Sequence, residues 1–183
     1  MSPTNAMLLA AGLAKRMRPL TDTTAKPLLT LRGRTLLDHA LDRRAEAGVT
    51  DVVVNAHWHA DQVAAACAAR SHPRITLQRE DALLETGGSV RRALPLLGDA
   101  PFYVVNGDAF WLNGPTPALC RLAAAFDPAS MDALLLVART SLIPGDVGLG
   151  DFALDPLGRV RRRKEREIAP YMYAGVQLAA PAM

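Results

Sequence analysis

Short apolar runs alternate with amphipathic segments along most of the chain. The apolar runs predict one strand that begins at Met7 and further strands at 51–55, 75–78, 102–106 and 133–138. Between them, apolar residues at helical spacing and alanine-rich stretches predict helices over 35–48, 61–70, 87–97 and 117–126. Strands that alternate with helices in this way indicate right-handed βαβ units and a mostly parallel sheet.

The last part of the chain follows another pattern. The sequence Asp155-Pro156-Leu157-Gly158 is typical of a type I turn, with extended segments on both sides of it. A further strand is predicted at 171–178. We therefore expect an α/β protein with a Rossmann-like, mostly parallel mixed sheet flanked by helices, to which a C-terminal antiparallel hairpin is attached.

Size and composition narrow the class of protein. The chain has 183 residues, half of them apolar, so we expect a single domain spanning 1–183. The net charge is +3, but the basic residues are dispersed, which argues against a nucleic-acid partner. Cys67 and Cys120 lack metal-ligand spacing, which fits a reducing cytoplasm. The N-terminal apolar run is too short to span a bilayer, so no membrane partner is expected.

The stretch from Met7 to Pro27 combines an apolar strand, a turn of small residues and an irregular basic loop. The turn leaves backbone N–H groups available, and Lys15, Arg16 and Lys26 add positive charge. Together these groups suit a polyphosphate ligand. The dinucleotide fingerprint and the P-loop are excluded, because their glycines and Gly-Lys-Ser/Thr sequence are missing. The alternative interpretation is a buried strand followed by a solvated basic loop.

Polar residues follow two other predicted strands. Asn106-Gly107-Asp108 ends the strand at 102–106, and Glu80 follows the strand at 75–78. Ligands of parallel sheets bind beyond the carboxyl ends of the strands, so these residues are expected near the basic loop. Asp108 is a candidate Mg²⁺ ligand, since Mg²⁺ takes one or two carboxylates together with phosphate oxygens and water. The alternatives are a turn or cap role for Asp108 and an exposed loop position for Glu80.

The basic loop resembles the signature of the sugar-1-phosphate nucleotidyltransferases, L-A-A-G-x-G-x-R-M-R-P-L-T followed by K-P. The matching residues are 9–12, 16–21, 26 and 27. Ala14 replaces the second glycine of the signature, which is tolerable unless the position requires a positive φ. The segments 102–108, FYVVNGD, and 84–88, LETGG, resemble the family's metal-aspartate strand and its loop over the nucleotide base. The resemblance extends from Leu9 to about Val176 and implies a nucleotidyltransferase fold of the GT-A-like kind.

The resemblance also implies roles for individual residues. Arg16 would stabilise the departing pyrophosphate, Lys26 would contact the α-phosphate region, and Asp108 would hold Mg²⁺ as the metal ligand. The other implied binding residues are Ala11, Gly12, Leu13, Ala14, Glu80, Gly87 and Gly88 for the nucleotide, and Asn106, Gly150 and Gly175 for the sugar. Within the nucleotide group, Glu80 would accept a hydrogen bond from N3–H of uracil.

Two further polar segments have competing interpretations. His57 and His59 alternate in an extended segment and would face the same way, but no third ligand at zinc spacing follows. The surrounding stretch also matches the nucleotidyltransferases, which favours a structural or substrate-side role over zinc. The basic run 159–166 has no aromatic residues between its charges. It is interpreted as a solvated hairpin strand rather than an RNA-binding segment.

Within the family, the resemblance is nearest to the branch that transfers UMP from UTP to N-acetylmuramate 1-phosphate in bacterial cell-wall (peptidoglycan) recycling. The implied partners are UTP or another NTP and a sugar 1-phosphate, with Mg²⁺ as cofactor. Two alternatives remain open. One is transfer of GMP to mannose 1-phosphate, and the other is a noncatalytic module that binds a nucleotide or nucleotide-sugar.

The C-terminal end leads to a separate expectation. Relatives usually supply a second metal carboxylate downstream of the strand at 171–178. We therefore expect this 183-residue form to lack their C-terminal part, to bind nucleotide and to turn over slowly. Apolar surface exposed near Val176 and Leu178 is expected to favour self-association.

Overall fold

The computed structural model describes residues 2–145 and 148–181, so the ends of the predicted 1–183 domain lie outside the described residues. The strands are β1 Asn5–Leu9, β2 Thr30–Leu31, β3 Arg34–Thr35, β4 Asp51–Ala56, β5 Arg74–Arg79, β6 Phe102–Asn106, β7 Ala133–Arg139, β8 Phe152–Leu154, β9 Val160–Arg162 and β10 Tyr171–Ala179. The helices are α1 Leu36–Glu46, α2 Ala60–Ala68, α3 Glu85–Leu97 and α4 Ala118–Ala125. Of these elements, the short hairpin of β2 and β3 was not predicted.

One mixed sheet contains all strands except that hairpin, in the order β5-β4-β1-β6-β10-β8-β9, with β7 also paired to β10. The strands β5, β4, β1 and β6 are parallel. In contrast, β10 runs antiparallel to β6, β7 and β8. β8 and β9 form the predicted hairpin, in which the Gly158 N–H donates to the Asp155 carbonyl at 2.9 Å. The predicted mixed α/β sheet with a C-terminal antiparallel hairpin is confirmed.

The start of α1 shows how local sequence determines an element. Thr35 Oγ1 accepts a hydrogen bond from the Asp38 N–H at 3.0 Å and donates to the Asp38 carboxylate at 2.7 Å. Arg70, just after α2, donates to Asp38 and Asp42 at 2.7 and 2.8 Å. These contacts satisfy the first turn of α1 and fasten the helix to the segment that follows α2.

The start of α3 differs from the prediction. Its first residue is Glu85 rather than Gly87, so Gly87 and Gly88 lie inside the first turn and Ser89 is buried. The two glycines suggested the entrance of the helix. However, a Cβ at Gly88 would come within 3.1 Å of the Leu84 Cβ, so close packing gives a reason for glycine there.

Two buried clusters cover the two faces of the parallel strands. Alternate residues point to opposite faces, so Leu8 and Val54 belong to one cluster while Met7 and Val53 belong to the other. Burial in the first of these clusters raises the pKa of the free Cys67 thiol to about 11, which keeps the thiol protonated at neutral pH. Within residues 2–145 and 148–181, none of the helices has the length and apolar character required to cross a membrane.

The position of β10 corrects one prediction. Val176 and Leu178 are 0% and 1% exposed and belong to the first core cluster. The expected apolar surface near these two residues is therefore wrong, because β10 lies between β6 and β7 and its side chains pack into the core. In the part of the chain between β7 and β10, apolar side chains are exposed instead at Leu142, Leu157 and Ile168.

Candidate active site

Side chains just before and within α2 hold residues 21–25 of the basic loop in place. Trp58 Nε1 donates to the Thr21 carbonyl at 3.0 Å, and Gln62 Nε2 donates to the Thr23 carbonyl at 2.8 Å. The Gln62 side chain also accepts from the Ala25 N–H at 3.0 Å. The loop is therefore fastened to the beginning of α2 immediately before Lys26.

A cavity of about 270 Å³ lies between the two ends of the loop and the end of β6. We call it the basic cavity. Its lining residues are Leu9, Ala10, Gly12, Ala14, Lys15, Arg16, Lys26, Pro27, Gly107 and Asp108. A Cβ at Gly12 would meet no atom within 4 Å. Among the described residues, the N–H groups of Gly12, Leu13 and Ala14 have no hydrogen-bond partner. The structure thus brings the predicted cations and the predicted turn to one cavity.

Ala14 occupies the position of the second signature glycine with a left-handed backbone, φ 48° and ψ 33°. The position does require a positive φ, which costs a non-glycine residue about 1–2 kcal/mol. The Ala14 carbonyl accepts from the Met17 N–H at 2.9 Å and from the Thr21 hydroxyl at 3.0 Å. These two bonds hold the strained residue in place.

Gly107 brings the end of β6 against the end of β1. Its N–H donates to the Leu9 carbonyl at 2.7 Å, and a Cβ at this position would lie only 2.7 Å from the same oxygen. Only glycine permits this approach. As a result Asp108 lies beside the basic loop, where its carboxylate forms an ion pair with Lys26. The two side chains remain 42% and 25% exposed, so a ligand in the cavity can reach both.

A second cavity, of about 180 Å³, adjoins the first, since Leu9, Gly12 and Asp108 line both. We call it the polar cavity. The rest of its lining consists of Ala11, Asn55, Glu80, Leu83, Glu85, Thr86, Ser89 and Asn106. Glu80 is 5% exposed, so the alternative of an exposed loop glutamate is wrong. Its Oε2 atom is buried and has no hydrogen-bond partner in the described part of the chain.

Sequence reasoning missed the buried amides that surround Glu80. Asn55 Nδ2, at the carboxyl end of β4, donates to Glu80 Oε1 at 2.9 Å and to Ser89 Oγ at 3.0 Å. Gln78 Nε2 donates to the same Glu80 oxygen at 3.2 Å and to the Ser89 carbonyl at 3.1 Å. Asn55 Oδ1 accepts from the Ala10 N–H at 2.7 Å. The available signal was an amide near the carboxyl end of each of two neighbouring strands, at the second-last position of β4 and of β5.

Most of the remaining predicted site residues lie beside the two cavities rather than in their lining. Asn106 lines the polar cavity, and a Cβ at Gly175 would lie 3.0 Å from Asn106 Nδ2. Gly150 lines neither cavity, and a Cβ there would meet the Ala169 carbonyl. Gly87 and Gly88 follow Thr86, which lines the polar cavity, but do not line it themselves. The ligand contacts assigned to these glycines stay predictions.

The histidines after β4 hold backbone atoms. His57 Nδ1 donates to the Glu80 carbonyl at 2.8 Å, and His59 Nε2 donates to the Asp22 carbonyl at 3.1 Å. In residues 2–145 and 148–181, no group of three or more His, Cys, Asp or Glu side chains is arranged to hold a metal ion. The structural interpretation of these histidines therefore stands over a zinc site.

The two cavities form one cleft at the carboxyl ends of β1, β4, β5 and β6. One end offers free N–H groups and the cations Lys15 and Arg16, which suit phosphate oxygens. The middle offers the carboxylate of Asp108, and the other end is lined by Glu80, whose Oε2 is buried without a partner among the described residues. An elongated anion with a polar ring at one end, such as a nucleoside triphosphate, matches this order of groups.

Comparison with solved structures identifies the class of fold. UDP-glucose pyrophosphorylase, in its crystal structure with UDP-glucose, superposes with a TM-score of 0.78 at 16% identity. The match covers 100% of this chain and 77% of that one. The fold is therefore that of the nucleotidyltransferases.

Sequence comparison defines the family. The profile described as a MobA-like NTP transferase domain matches residues 6–163, and the chain belongs to this family. N-acetylmuramate alpha-1-phosphate uridylyltransferase of Caulobacter vibrioides is 43% identical, over 98% of this chain and 76% of that protein. The protein of the same name from Neisseria meningitidis serogroup B is 42% identical, over 85% of this chain and 67% of that protein. The predicted membership of the sugar-1-phosphate nucleotidyltransferases is confirmed.

Proposed function

We propose that this chain transfers UMP from UTP to N-acetylmuramate 1-phosphate and releases pyrophosphate. The observation that carries the proposal is the 43% identity, over 98% of the chain, to a uridylyltransferase named for that sugar. In the reaction, an oxygen of the sugar phosphate forms a bond to the α-phosphorus of UTP. The bond from that phosphorus to the oxygen bridging to the β-phosphate breaks. Such a transfer depends on alignment and charge neutralisation rather than on a covalent nucleophile.

The basic cavity receives the β- and γ-phosphates in this proposal. The unpartnered N–H groups of Gly12, Leu13 and Ala14 donate to the phosphate oxygens. Arg16 lines the same cavity, and its charge-assisted hydrogen bonds strengthen as negative charge develops on the departing pyrophosphate. Lys26 exchanges its ion pair with Asp108 for the α-phosphate.

Asp108 is the residue that would hold Mg²⁺. Its carboxylate is 42% exposed and lines both cavities, which fits an ion bound by one or two carboxylates together with phosphate oxygens and water. Among the described residues, no group of three or more His, Cys, Asp or Glu side chains is arranged to hold a metal ion, so phosphate oxygens and water would supply the other ligands. When bound, Mg²⁺ would neutralise charge on the phosphate oxygens.

The polar cavity receives the base, and the sugar lies towards the antiparallel strands. Glu80 Oε2, which is buried without a partner, accepts the N3–H of uracil. Ala11 lines this cavity beside the base, and the first turn of α3 with Gly87 and Gly88 offers N–H groups to the base carbonyls. The sugar contacts Asn106 and Gly175, which adjoin each other, and Gly150 beyond them.

A substrate grid tests the proposal. Pyrophosphate release is measured for UTP, CTP, GTP and ATP, each with N-acetylmuramate, N-acetylglucosamine, glucose and mannose 1-phosphates, in the presence of Mg²⁺. We expect the highest kcat/KM with UTP and N-acetylmuramate 1-phosphate. A maximum with GTP and mannose 1-phosphate would establish the guanylyltransferase alternative. Nucleotide binding without pyrophosphate release in any combination would establish a noncatalytic module.

The same function places the protein in cytoplasmic peptidoglycan recycling, where UTP is available and where its free Cys67 and Cys120 stay reduced. Self-association remains part of the proposal, through the exposed Leu142, Leu157 and Ile168 rather than through β10. Sedimentation velocity over a range of concentrations tests this, and a single monomeric species at all concentrations would contradict it.

A further inference from the structure

We propose that Asn55 and Gln78 sharpen the choice of base by holding the Glu80 carboxylate in one orientation, with Oε1 engaged by the two amides and Oε2 left to accept from the ligand. Both act as positioning residues, since the contact with the base is made by Glu80. The inference rests on the proposed function only in that the polar cavity must receive the base.

The two amides direct all of their hydrogens to defined acceptors. Asn55 Nδ2 donates to Glu80 Oε1 and Ser89 Oγ at 2.9 and 3.0 Å. Gln78 Nε2 donates to Glu80 Oε1 and the Ser89 carbonyl at 3.2 and 3.1 Å. Two donors therefore converge on Oε1, while Oε2 is buried and has no partner among the described residues.

The orientation of the Asn55 amide follows from its third contact. The Ala10 N–H lies 2.7 Å from Oδ1, and a backbone N–H can only donate. The oxygen of the amide must face Ala10, so its nitrogen must face Glu80. The direction of the hydrogen bonds in this network is thus determined by Ala10, at the start of the phosphate-binding turn. It cannot reverse without the loss of the bond from the Ala10 N–H to Asn55 Oδ1.

The free oxygen selects among bases by the donor that it meets. A buried carboxylate oxygen without a partner is unfavourable, and a ligand donor that reaches it relieves this cost. Uracil presents the N3–H donor between two carbonyl acceptors, whereas cytosine presents an N3 lone pair at the same ring position. Guanine presents two adjacent donors, of which a single free oxygen meets only one well. A fixed single acceptor therefore favours uracil.

Glu80→Gln tests this polarity. Because Asn55 and Gln78 both donate at the Oε1 position, the introduced amide must place its oxygen there and its NH₂ towards the base. The acceptor becomes a donor, which matches the N3 lone pair of cytosine. We expect the ratio of kcat/KM for UTP to that for CTP to fall by about tenfold to a hundredfold. An unchanged ratio would overturn the proposal.

Asp81→Asn is the matched control. Asp81 follows Glu80 in the chain, is exposed and does not line the polar cavity, so this variant removes a negative charge without altering the hydrogen-bond polarity at Glu80. We expect its UTP-to-CTP ratio to equal that of the wild type. An equal fall in both variants would mean that charge, and not hydrogen-bond polarity, sets the preference, and would overturn the proposal.

The double variant Asn55→Asp with Glu80→Gln tests the role of Asn55. The introduced carboxylate still accepts from the Ala10 N–H, but it now offers an acceptor to position 80. Gln78 Nε2 still donates at the same position, so the two neighbours compete. In the fraction of molecules where the carboxylate prevails, the amide turns its NH₂ towards it and its oxygen towards the base. We expect part of the UTP preference to return, a non-additive result that a loss of packing would not produce. A ratio equal to that of Glu80→Gln alone would exclude Asn55 as the residue that sets the polarity.

Thermal unfolding shows whether Glu80→Gln folds. If it does not, Gln78→Met tests the proposal with the Glu80 carboxylate intact. Loss of one donor to Oε1 is expected to raise KM for UTP by about threefold to tenfold with kcat unchanged, and an unchanged KM would overturn the proposal. Failure of the proposed function has a different result, namely no pyrophosphate release by the wild type with any substrate pair. Wild-type activity with unaltered base preference in the variants refutes this inference alone.

Discussion

The parallel and antiparallel halves of the sheet differ in how their strands are covered. β1, β4 and β6 are buried along most of their length, and core clusters lie on both of their faces. β7 and β8 contain no fully buried residue, and β9 is exposed throughout. The phosphate-binding turn and Asp108 follow the covered strands β1 and β6, where packing holds a side chain in place. Glu80, which is assigned to the base, instead follows the edge strand β5, of which one residue is buried. The residues assigned to the sugar adjoin β10, where the covered and the less covered strands meet.

The boundary between the halves lies within β10. The pairing of β10 with β7 shifts register between Tyr173 and Val176, and Gly175 between them has φ 74°. Before this bulge the strand is partly exposed and pairs with β8, and after it the strand is buried and pairs with β6. Bulges commonly redirect a strand beside a functional site, and this one adjoins Asn106.

The largest effect is expected where the antiparallel half enters the core. Leu178→Ala should lower the free energy of unfolding by about 2–5 kcal/mol, because it leaves a cavity at a fully buried position. Leu157, on the hairpin, is 78% exposed, and Leu157→Ala should change the stability by less than about 0.5 kcal/mol. Urea unfolding of the two variants measures the difference. Similar values would mean that the end of β10 and the hairpin are equally packed, and would contradict the boundary within the antiparallel half.

The next effect concerns the basic loop. Arg16→Ala should lower kcat by about a hundredfold to a thousandfold, because one donor at the departing pyrophosphate is lost, and should affect sugar binding much less. Arg18→Ala is the control, since Arg18 lies in the same loop but pairs with Asp22 at 3.3 Å and does not line the cavity. Steady-state kinetics with UTP and the sugar phosphate check both. Near-normal kinetics of Arg16→Ala would contradict its role.

Periodicity and local signals in the sequence predicted the order of the main strands and helices and the approach of the basic loop to Asp108. They could do so because periodicity is local, and because parallel strands place their carboxyl ends at one edge. The network around Glu80 could not be predicted, because Asn55 is hydrogen-bonded to residues 25 and 34 positions away in the chain. No local pattern in the sequence connects these positions. The burial of Val176 and Leu178 was missed because it depends on which strands flank β10.

A smaller effect distinguishes two reasons for glycine in the parallel half, namely close packing at one position and ligand contact at the other. Gly107→Ala should lower the stability by about 1–3 kcal/mol, since its Cβ would lie 2.7 Å from the Leu9 carbonyl. Gly12→Ala should leave the stability within about 0.5 kcal/mol of the wild type, since its Cβ meets no atom within 4 Å, but should weaken UTP binding by intruding into the cavity. Thermal unfolding and calorimetric titration distinguish the two, and a stable Gly107→Ala would contradict the close approach of β6 to β1.

The smallest effect lies away from both cavities, at the ion pairs between α1 and the segment after α2. Partial burial raises the pKa of Asp38, but the Thr35 hydroxyl and the Arg70 guanidinium outweigh it and hold the pKa below its ordinary value. A carboxyl group whose pKa is lower in the folded state adds stability above its unfolded pKa, and that stability is lost as the pH falls through the folded pKa.

Arg70→Met should therefore lower the stability near neutral pH by about 1 kcal/mol or less, since the pair is partly exposed. It should also reduce the stability that is lost on acidification from about pH 6 to about pH 3, where aspartate titrates. Arg79→Met is the control, because Arg79 pairs with Asp61, whose side chain is 93% exposed. Urea unfolding at several pH values measures the slopes. If Arg70→Met and the wild type lose equal stability in acid, Arg70 does not contribute to the pH dependence, and the lowered pKa of Asp38 arises from the Thr35 hydroxyl and the charge of Arg34.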